Sequence, residues 1–475
     1  MADADNHHSE HGDSHFLVVA GGMQGHLNPA RTLARRLARV TLSVPAAAHG
    51  RMFPSSLTSH AGDDEAEVSD GVISYVPFSD GLEFGAWPRT AAEKARCRRA
   101  SAESLSAIVR RLAAAGQRPV TCVVSTISLP AIDVALELGI PYAFYWIQTA
   151  ATFAAYYHYF HGYEQLVAAH VDDPAYEVSL PGLCPLPIRD LPSFLADSTR
   201  SEQSKASVEW LRAIFEHIGR EKPKVLVNAL DMLETNVLQT LRQHLDVFAV
   251  GPMVPRLQQM DVIEDRLHLY KQDEKGYLEW LNAQPDRSVV YMSYGSMLTY
   301  NKQQVEEILQ GFRACGRPYL WVVRKDGRQD DVESCLALNG YSKQGMVIDW
   351  CDQLEVLSHP SVGCFVTHCG WNSTLEAMTL GVPMVTVPNW SDQALNAHLV
   401  DEWGIGVRAK RNDEGLLAGT ELAKCIEIVM GNDDKARNIH EKVNALKGDV
   451  QKGVVEGDLV ERSLQNFVMA MQRET

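Results

Sequence analysis

WCDQLEVLSHPSVGCFVTHCGWNSTLEAMTLGVPMVTVPNWSDQ, residues 350–393, decides how this chain is read. Residues 363–367 (GCFVT) read as a buried strand, and the pattern breaks at His368-Cys369-Gly370-Trp371-Asn372-Ser373, with a helix expected to begin near Thr374. A helix start presents backbone N–H groups and a partial positive charge, which suit a phosphate. Gly370 lets a ligand come close to the backbone, and His368, Asn372 and Ser373 add side-chain donors. The segment therefore reads as a diphosphate cradle built without lysine or metal. Taken alone, Ser373-Thr374-Leu375-Glu376 has a plainer reading as a capping box, in which Ser373 and Glu376 tie off the helix. Alone, too, His368 and Trp350 read as core residues and Asp392-Gln393 as a helix start after Pro388.

Outward from this stretch, strands and helices alternate almost throughout, the signature of α/β layers with parallel sheets. On the N-terminal side, strands are expected over 15–20, 40–44, 121–125, 142–146 and 224–228. Gly21 and Gly22 end the first, and Asn28 with Pro29 opens a helix that runs to Arg39. Residues 133–138 form a helix stopped by Gly139. The alternation lapses over 251–275, which is polar and aperiodic and reads as a linker. It then resumes with strands over 288–293, 319–324, 346–350, 363–367, 383–388 and 406–408 and a helix over 302–315. Helices over 421–430, 433–446 and 459–473 close the chain. Two such halves imply a cleft between Rossmann-like domains, with ligands at the carboxyl ends of the strands.

Composition narrows the function. The chain has 475 residues, enough for two or three domains without disulfide or metal staples. Its net charge of −16 argues against a nucleic-acid partner, and the basic clusters at Arg31-Arg35-Arg36-Arg39 and Arg96-Arg98-Arg99 read as solvated helix faces. Nine scattered cysteines with no CxxC pair suggest neither a disulfide framework nor a zinc site, and point to a reducing compartment. Residues 1–14 carry His7, His8 and His11 in a polar, acidic stretch that reads as a disordered tail rather than a signal peptide or metal site. The longest apolar run, 140–157, is interrupted by Gln148, Thr149 and Thr152 and reads as core, so no stable membrane insertion is expected.

Taken together, Trp350-Cys351-Asp352-Gln353, His368 to Ser373 and Asp392-Gln393 resemble, in identity and spacing, the signature box of the plant family-1 UDP-dependent glycosyltransferases. The resemblance extends to GMQGHLNP (22–29), PGLCPLPIRDLP (181–192), VLVNALDMLE (225–234) and VVYMSYGS (289–296). It looks nearest to the indole-3-acetate, abscisate and anthocyanin 5-O glucosyltransferase branch. The resemblance implies a GT-B fold of two Rossmann-like domains, an α/β architecture: an acceptor domain over 15–250, a UDP-sugar domain over 276–455, and a C-terminal helix over 456–475 packing back on the first. It implies UDP-glucose as co-substrate, no permanently bound cofactor or metal, a cytoplasmic monomer, and a small apolar plant metabolite or hormone as acceptor. By position, Trp350 would stack on uracil and the Cys351 backbone would pair with its edge. Gln353 and Glu376 would hold the ribose, and His368, Asn372, Ser373 and Ser296 the phosphates. Trp371, Asp392 and Gln393 would contact the sugar, and the terminal glutamine fits glucose.

His26 lies between the first strand and the first helix, and an imidazole with a pKa near ~6.5 suits proton removal from an acceptor hydroxyl. Without context it is a surface loop histidine; the resemblance makes it the general base of an inverting displacement. Many relatives carry an Asp that orients this base. Here that position falls on Thr126, or on Ser125 if the alignment slips by one, and nearby Asp133 is not its counterpart. Losing the carboxylate weakens imidazolium stabilisation, which tilts the expectation toward acceptors needing little help: carboxylates, or acidic phenols. Two further departures are a near-absent loop at 35–42 and the lack of a Trp after Pro130. For the acceptor pocket, Met23, Phe84, Trp146, Gln148 and Phe194 are the main candidates, with Phe78, Trp87, Phe153 and Tyr157 behind them. A nucleotide-sugar-binding protein of the same fold with weak or no catalysis is the alternative. A dehydrogenase is not, because Gly21-Gly22-Met23-Gln24-Gly25-His26 is neither GxGxxG nor a P-loop.

Overall fold

The computed structural model describes residues 14–54, 67–83, 86, 88, 90–114, 119–199, 201–254, 269–270, 273, 276–339, 344–455 and 459–474. Most of the expected tail and linker, and both Phe84 and Trp87, lie outside the described residues. The rest falls into two compact units. The first draws on Met1–Ala150, Leu211–Leu269 and Val460–Thr475, the second on Ala151–Trp210 and Tyr270–Leu459. Residues Ala151–Trp210, which the sequence pattern leaves in the N-terminal half, thus group with the C-terminal one.

The strands, numbered along the chain, begin with β1 (Phe16–Val19), β2 (Val40–Pro45), β3 (Val68–Ser69), β4 (Ile73–Phe78), β5 (Cys122–Ser125) and β6 (Tyr142–Trp146). After a short antiparallel pair in the second unit, β7 (Glu177–Val178) and β8 (Leu186–Pro187), come β9 (Lys224–Val227) and β10 (Val247–Ala249). The first unit's sheet runs β10-β9-β6-β5-β1-β2-β4-β3, and every pairing is parallel except β3 with β4. Strand β1 is FLVV with each residue at most 1% exposed, as a strand covered on both faces requires. The helix Leu459–Gln472 closes this unit, setting Phe467 against Phe16 and Phe248 at ring-centroid distances of 6.3 and 5.7 Å.

The second unit holds β11 (Val289–Ser293), β12 (Tyr319–Val322), β13 (Gly345–Ile348), β14 (Val362–Thr367), β15 (Met384–Thr386) and β16 (Gly406–Arg408). They form an all-parallel sheet in the order β13-β12-β11-β14-β15-β16. Its core includes Trp321, Phe312, Val366 and Val385, all fully buried. In both sheets the strand order reverses beside the first strand, between β1 and β5 and between β11 and β14. Such reversal points open a crevice beyond the strands' carboxyl ends, where ligands of doubly wound sheets bind.

Several expected boundaries shift. The first helix begins at Gln24, places Pro29 inside it, and stops at Ala34 rather than Arg39. Residues 35–39 therefore supply the connection to β2 that looked missing. The helix Leu129–Leu138 starts earlier than expected and ends on left-handed Gly139 (φ 66°), as anticipated. Lys302–Cys315 matches its expected range, capped by the Asn301 side chain accepting from the Gln304 N–H at 2.8 Å. All nine cysteines are free thiols. Among the described residues no helix is long and apolar enough to cross a membrane, and no cluster of His, Cys, Asp and Glu could hold a metal ion.

Candidate functional site

The reversal point of the second sheet carries the box residues. Strand β11 ends into Tyr294-Gly295-Ser296, and β14 into His368-Cys369-Gly370. The His368 imidazole lies between two glycines of these loops. A Cβ on Gly295 would stand 2.7 Å from its Nε2, and one on Gly370 2.5 Å. Burial pushes His368 down to about 4, partly offset by the Ser293 backbone, so the ring is neutral at pH 7. Its Nδ1 is buried with no partner among the described residues.

The helix after β14 starts at Trp371, three residues before the expected position, with Gly370 as N-cap and no side-chain cap. Ser373 and Glu376 therefore sit inside the helix, and the capping-box reading falls. Instead, one amide collects both: Gln353 Nε2 donates to Ser373 Oγ at 2.8 Å and to Glu376 Oε2 at 2.7 Å. Gln353 opens the helix Gln353–Ser358, whose N-cap Asp352 accepts from the Glu355 N–H at 3.1 Å. The Tyr291 hydroxyl reaches Gln353 Oε1 at 3.3 Å and lies 3.5 Å from Cys351 Sγ. Cys351 is buried, and its thiol is pushed up to about 12, so it is no nucleophile.

Trp350 is partly exposed and faces Tyr270, with ring centroids 4.7 Å apart, while Tyr270 carries the Arg324 guanidinium 5.0 Å from its centroid. The Tyr270 hydroxyl donates to the Ser296 carbonyl at 3.3 Å. Tyr270 thus joins the expected stacking residue to the turn after β11. The sequence hides it, since it follows an aperiodic stretch.

Asp392 and Gln393 stand at the start of the helix Gln393–Glu402. Both are buried, with Gln393 Oε1 accepting from the Asn389 and Trp390 N–H groups at 2.9 and 3.2 Å. The amide nitrogen of Gln393 is left to donate. Asn396, one turn on, donates from Nδ2 to Asp392 Oδ2 at 2.7 Å and to the Cys369 carbonyl at 2.9 Å. Its i+4 spacing from Asp392 is the signal that could have found it. The Trp371 indole is 4% exposed and packs toward Trp403, with ring centroids 6.3 Å apart. Asn372 is half-buried beside it.

The first sheet's reversal point carries His26 and Thr126. His26 sits in the first turn of the helix Gln24–Ala34, not in a loop, with its N–H on the Met23 carbonyl at 3.0 Å. The Nδ1 edge is buried against Gly21, where a Cβ would stand 3.3 Å away, while the residue keeps partial exposure. Burial lowers His26 to about 4, with the Thr126 backbone pulling it back up. The Thr126 hydroxyl does not hold the ring. It donates to the Val19 carbonyl and accepts from the Gly21 N–H, both at 3.3 Å. The alternative, Ser125, is spent on a turn: it donates to the Ser128 carbonyl at 3.0 Å and accepts from its N–H at 2.7 Å. Asp133 is paired with Arg98 through two bonds of 2.9 Å, which removes it as a partner for the base.

Five non-glycine residues among those described have positive φ: Ile127, Lys222, Arg287, Cys369 and Ser391. Three adjoin site positions, following Thr126 and His368 and preceding Asp392, where held strain is characteristic of binding sites. The aromatic candidates divide. Trp146 is 3% exposed, donates to the Thr149 carbonyl at 3.1 Å and meets Phe215 edge-on. Trp146 is therefore core rather than pocket lining, as are Phe78 and Phe153. Tyr157 is buried and stacks on His161. Met23 is the partly exposed N-cap of the His26 helix, and Gln148 is half-buried. Phe194, in the second unit, is partly exposed and meets Trp390 edge-on at 6.0 Å.

Comparison with known proteins agrees with this geometry. Residues 213–449 match the family described as UDP-glucoronosyl and UDP-glucosyl transferase. A crocetin glucosyltransferase of Gardenia jasminoides is 38% identical over 470 residues, covering 96% of each chain. An anthocyanidin 3-O-glucoside 5-O-glucosyltransferase of Verbena hybrida is 37% identical, covering 96% of this chain and 98% of its own. Among solved structures, Os79 from O. sativa in complex with UDP superposes with a TM-score of 0.78 at 26% identity, covering 96% of this chain and all of that one. The two doubly wound halves are those of the GT-B fold.

Proposed function

The chain belongs to the family of UDP-glucuronosyl and UDP-glucosyl transferases, enzymes that take a UDP-sugar as co-substrate, and we propose that it is an inverting glucosyltransferase with His26 as general base. Its acceptors are small plant metabolites with a carboxylate or an acidic phenol. The nucleotide sugar is assigned to the crevice of the second sheet: Trp350 and Cys351 for uracil, Gln353 and Glu376 for ribose. Ser296, His368, Asn372 and Ser373 take the diphosphate, and Trp371, Asp392 and Gln393 the glucose. The acceptor is assigned to the carboxyl edge of the first sheet. It attacks C1 of the α-linked glucose from the face opposite UDP, leaving a β-glucoside or β-glucose ester and free UDP, while a hydroxyl's proton passes to His26.

The observation that carries this reading is the state of His26. A ring lowered to about 4 is neutral at pH 7 and ready to accept a proton, but among the described residues no carboxylate stands by to stabilise the cation. Such a base is weak. Against it, proton transfer from a phenol with a pKa of ~10 runs well uphill, from an aliphatic hydroxyl near the ~15.7 of water it runs about twice as far uphill, and a carboxylate asks nothing of the base. Relatives named for crocetin and for anthocyanidin glucosides support a small plant metabolite as the acceptor.

A pH profile tests it. The lowered His26 keeps its basic form down to about 4, so kcat/KM with a phenolic acceptor should hold level from pH ~8 to ~5 and fall only below that, instead of near ~6.5. Thr126→Asp brings a negative charge to the residue whose backbone pairs with the imidazole, which favours the cation through space, and it should move the acid limb up from about 4 while improving less acidic hydroxyls relative to carboxylates. A wild-type limb at ~6.5 that Thr126→Asp leaves in place would remove His26 from the role.

A further inference from the structure

Asp392 is a buried carboxylate, and its value as a grip on sugar hydroxyls depends on being held at a fixed angle. It does not cap its own helix. What holds it is Asn396, fully buried, whose single Nδ2 group donates to Asp392 Oδ2 at 2.7 Å and to the Cys369 carbonyl at 2.9 Å. The two acceptors fix which end of the amide faces them. The other end, Oδ1, is buried with no partner among the described residues. An unpaired buried carbonyl costs stability, so the amide's value here lies in its two donated bonds. Cys369, at the far end of the bridge, has φ 64°, and its own N–H is held by Thr367 Oγ1 at 3.2 Å. The bridge therefore runs from the carboxylate to the loop that follows His368.

We propose that Asn396 is a positioning residue for the sugar half of the donor, locking the Asp392 carboxylate to the backbone of the phosphate loop. This rests on Asp392 facing the glucose. Three other groups act near Asp392. The Tyr156 phenol feels its charge and is driven well up by burial, the Cys369 thiol is likewise driven up, and Arg408 acts on that thiol while paired to Asp190.

The test compares wild type, Asp392→Ala, Asn396→Ala and the double variant by UDP calorimetry and by kcat/KM for UDP-glucose. UDP lacks the glucose and should not feel the carboxylate. The expected result is a UDP Kd within about threefold of wild type throughout, a loss of about 10–100-fold in kcat/KM for each single variant, and a double variant no worse than Asp392→Ala. If Asp392→Ala loses transfer and Asn396→Ala does not, the positioning role fails and the sugar-facing role of Asp392 stands. If Asp392→Ala transfers normally, both fail. Losses that multiply, or that track UDP affinity, reduce Asn396 to a structural residue and overturn the proposal. Should Asn396→Ala not fold, Asn396→Asp serves instead. Two adjacent carboxyls share a proton, and the protonated form restores one of the two donated bonds, the one to Asp392. Its rate relative to wild type should rise as pH falls from ~8 to ~5.5, and a flat ratio would overturn the proposal.

Discussion

His26→Ala should lower kcat/KM for a phenolic acceptor by about 10²–10⁴-fold, the usual worth of a positioned general base. The imidazole lies against Gly21 and the Thr126 backbone. Removing the ring deletes a neutral, partly exposed base and leaves the sheet edge intact, because Thr126 rather than His26 ties Val19 to Gly21. UDP affinity, read by calorimetry, should stay within about threefold, which separates lost chemistry from lost folding. The loss should also depend on the acceptor. A carboxylate is already ionised at pH 7, so its transfer should suffer markedly less than that of a phenol. Equal losses for both would mean that His26 positions the acceptor instead of deprotonating it.

Gly370→Ala should weaken UDP binding by about 10–100-fold. Gly370 has φ −58° and ψ 138°, a conformation open to any residue, so the glycine is there for room and not for its backbone freedom. An added methyl would lie 2.5 Å from His368 Nε2 and 3.1 Å from Cε1. The ring would have to shift to admit it, and its buried Nδ1 edge limits that movement. Overfilling of this kind costs about 1–3 kcal/mol, and here it falls on the residue and the helix start assigned to the diphosphate. Calorimetry with UDP measures it directly. A Kd within about threefold of wild type would show that His368 and the Gly370 backbone are not where the diphosphate sits.

The donor box was legible because its residues are contiguous, and a strand, a turn and a helix start put consecutive residues around one point. What the sequence misplaced was local. Ser373-Thr374-Leu375-Glu376 fits a capping box by pattern, but Gly370 ends the turn early and the helix absorbs all four residues. Only the fold shows that Gln353, twenty residues back, collects Ser373 and Glu376. His26 was legible as a residue but not as helical, because Pro29 reads as a helix start and instead lies inside. The resemblance puts the usual Asp position at Thr126 or Ser125, and the hydroxyl partners of Thr126 are set by sheet register, which brings Val19 beside Ser125. Trp146 looked like pocket lining and is core, since an aromatic in a strand carries no mark of which face it takes. The grouping of Ala151–Trp210 with the second unit is likewise written in tertiary contacts alone.

The account turns on a weak, neutral base serving acidic acceptors, and UDP release from UDP-glucose across a series of acceptors of graded acidity tests it most directly. The series would run from indole-3-acetate, abscisate and a hydroxybenzoate through a flavonol and an anthocyanin to an aliphatic alcohol, each with wild type and His26→Ala. The account predicts fastest transfer to carboxylates or acidic phenols, with the His26→Ala loss deepening as the acceptor becomes less acidic. An aliphatic alcohol as the best substrate by far, or transfer unaffected by His26→Ala across the series, would contradict it.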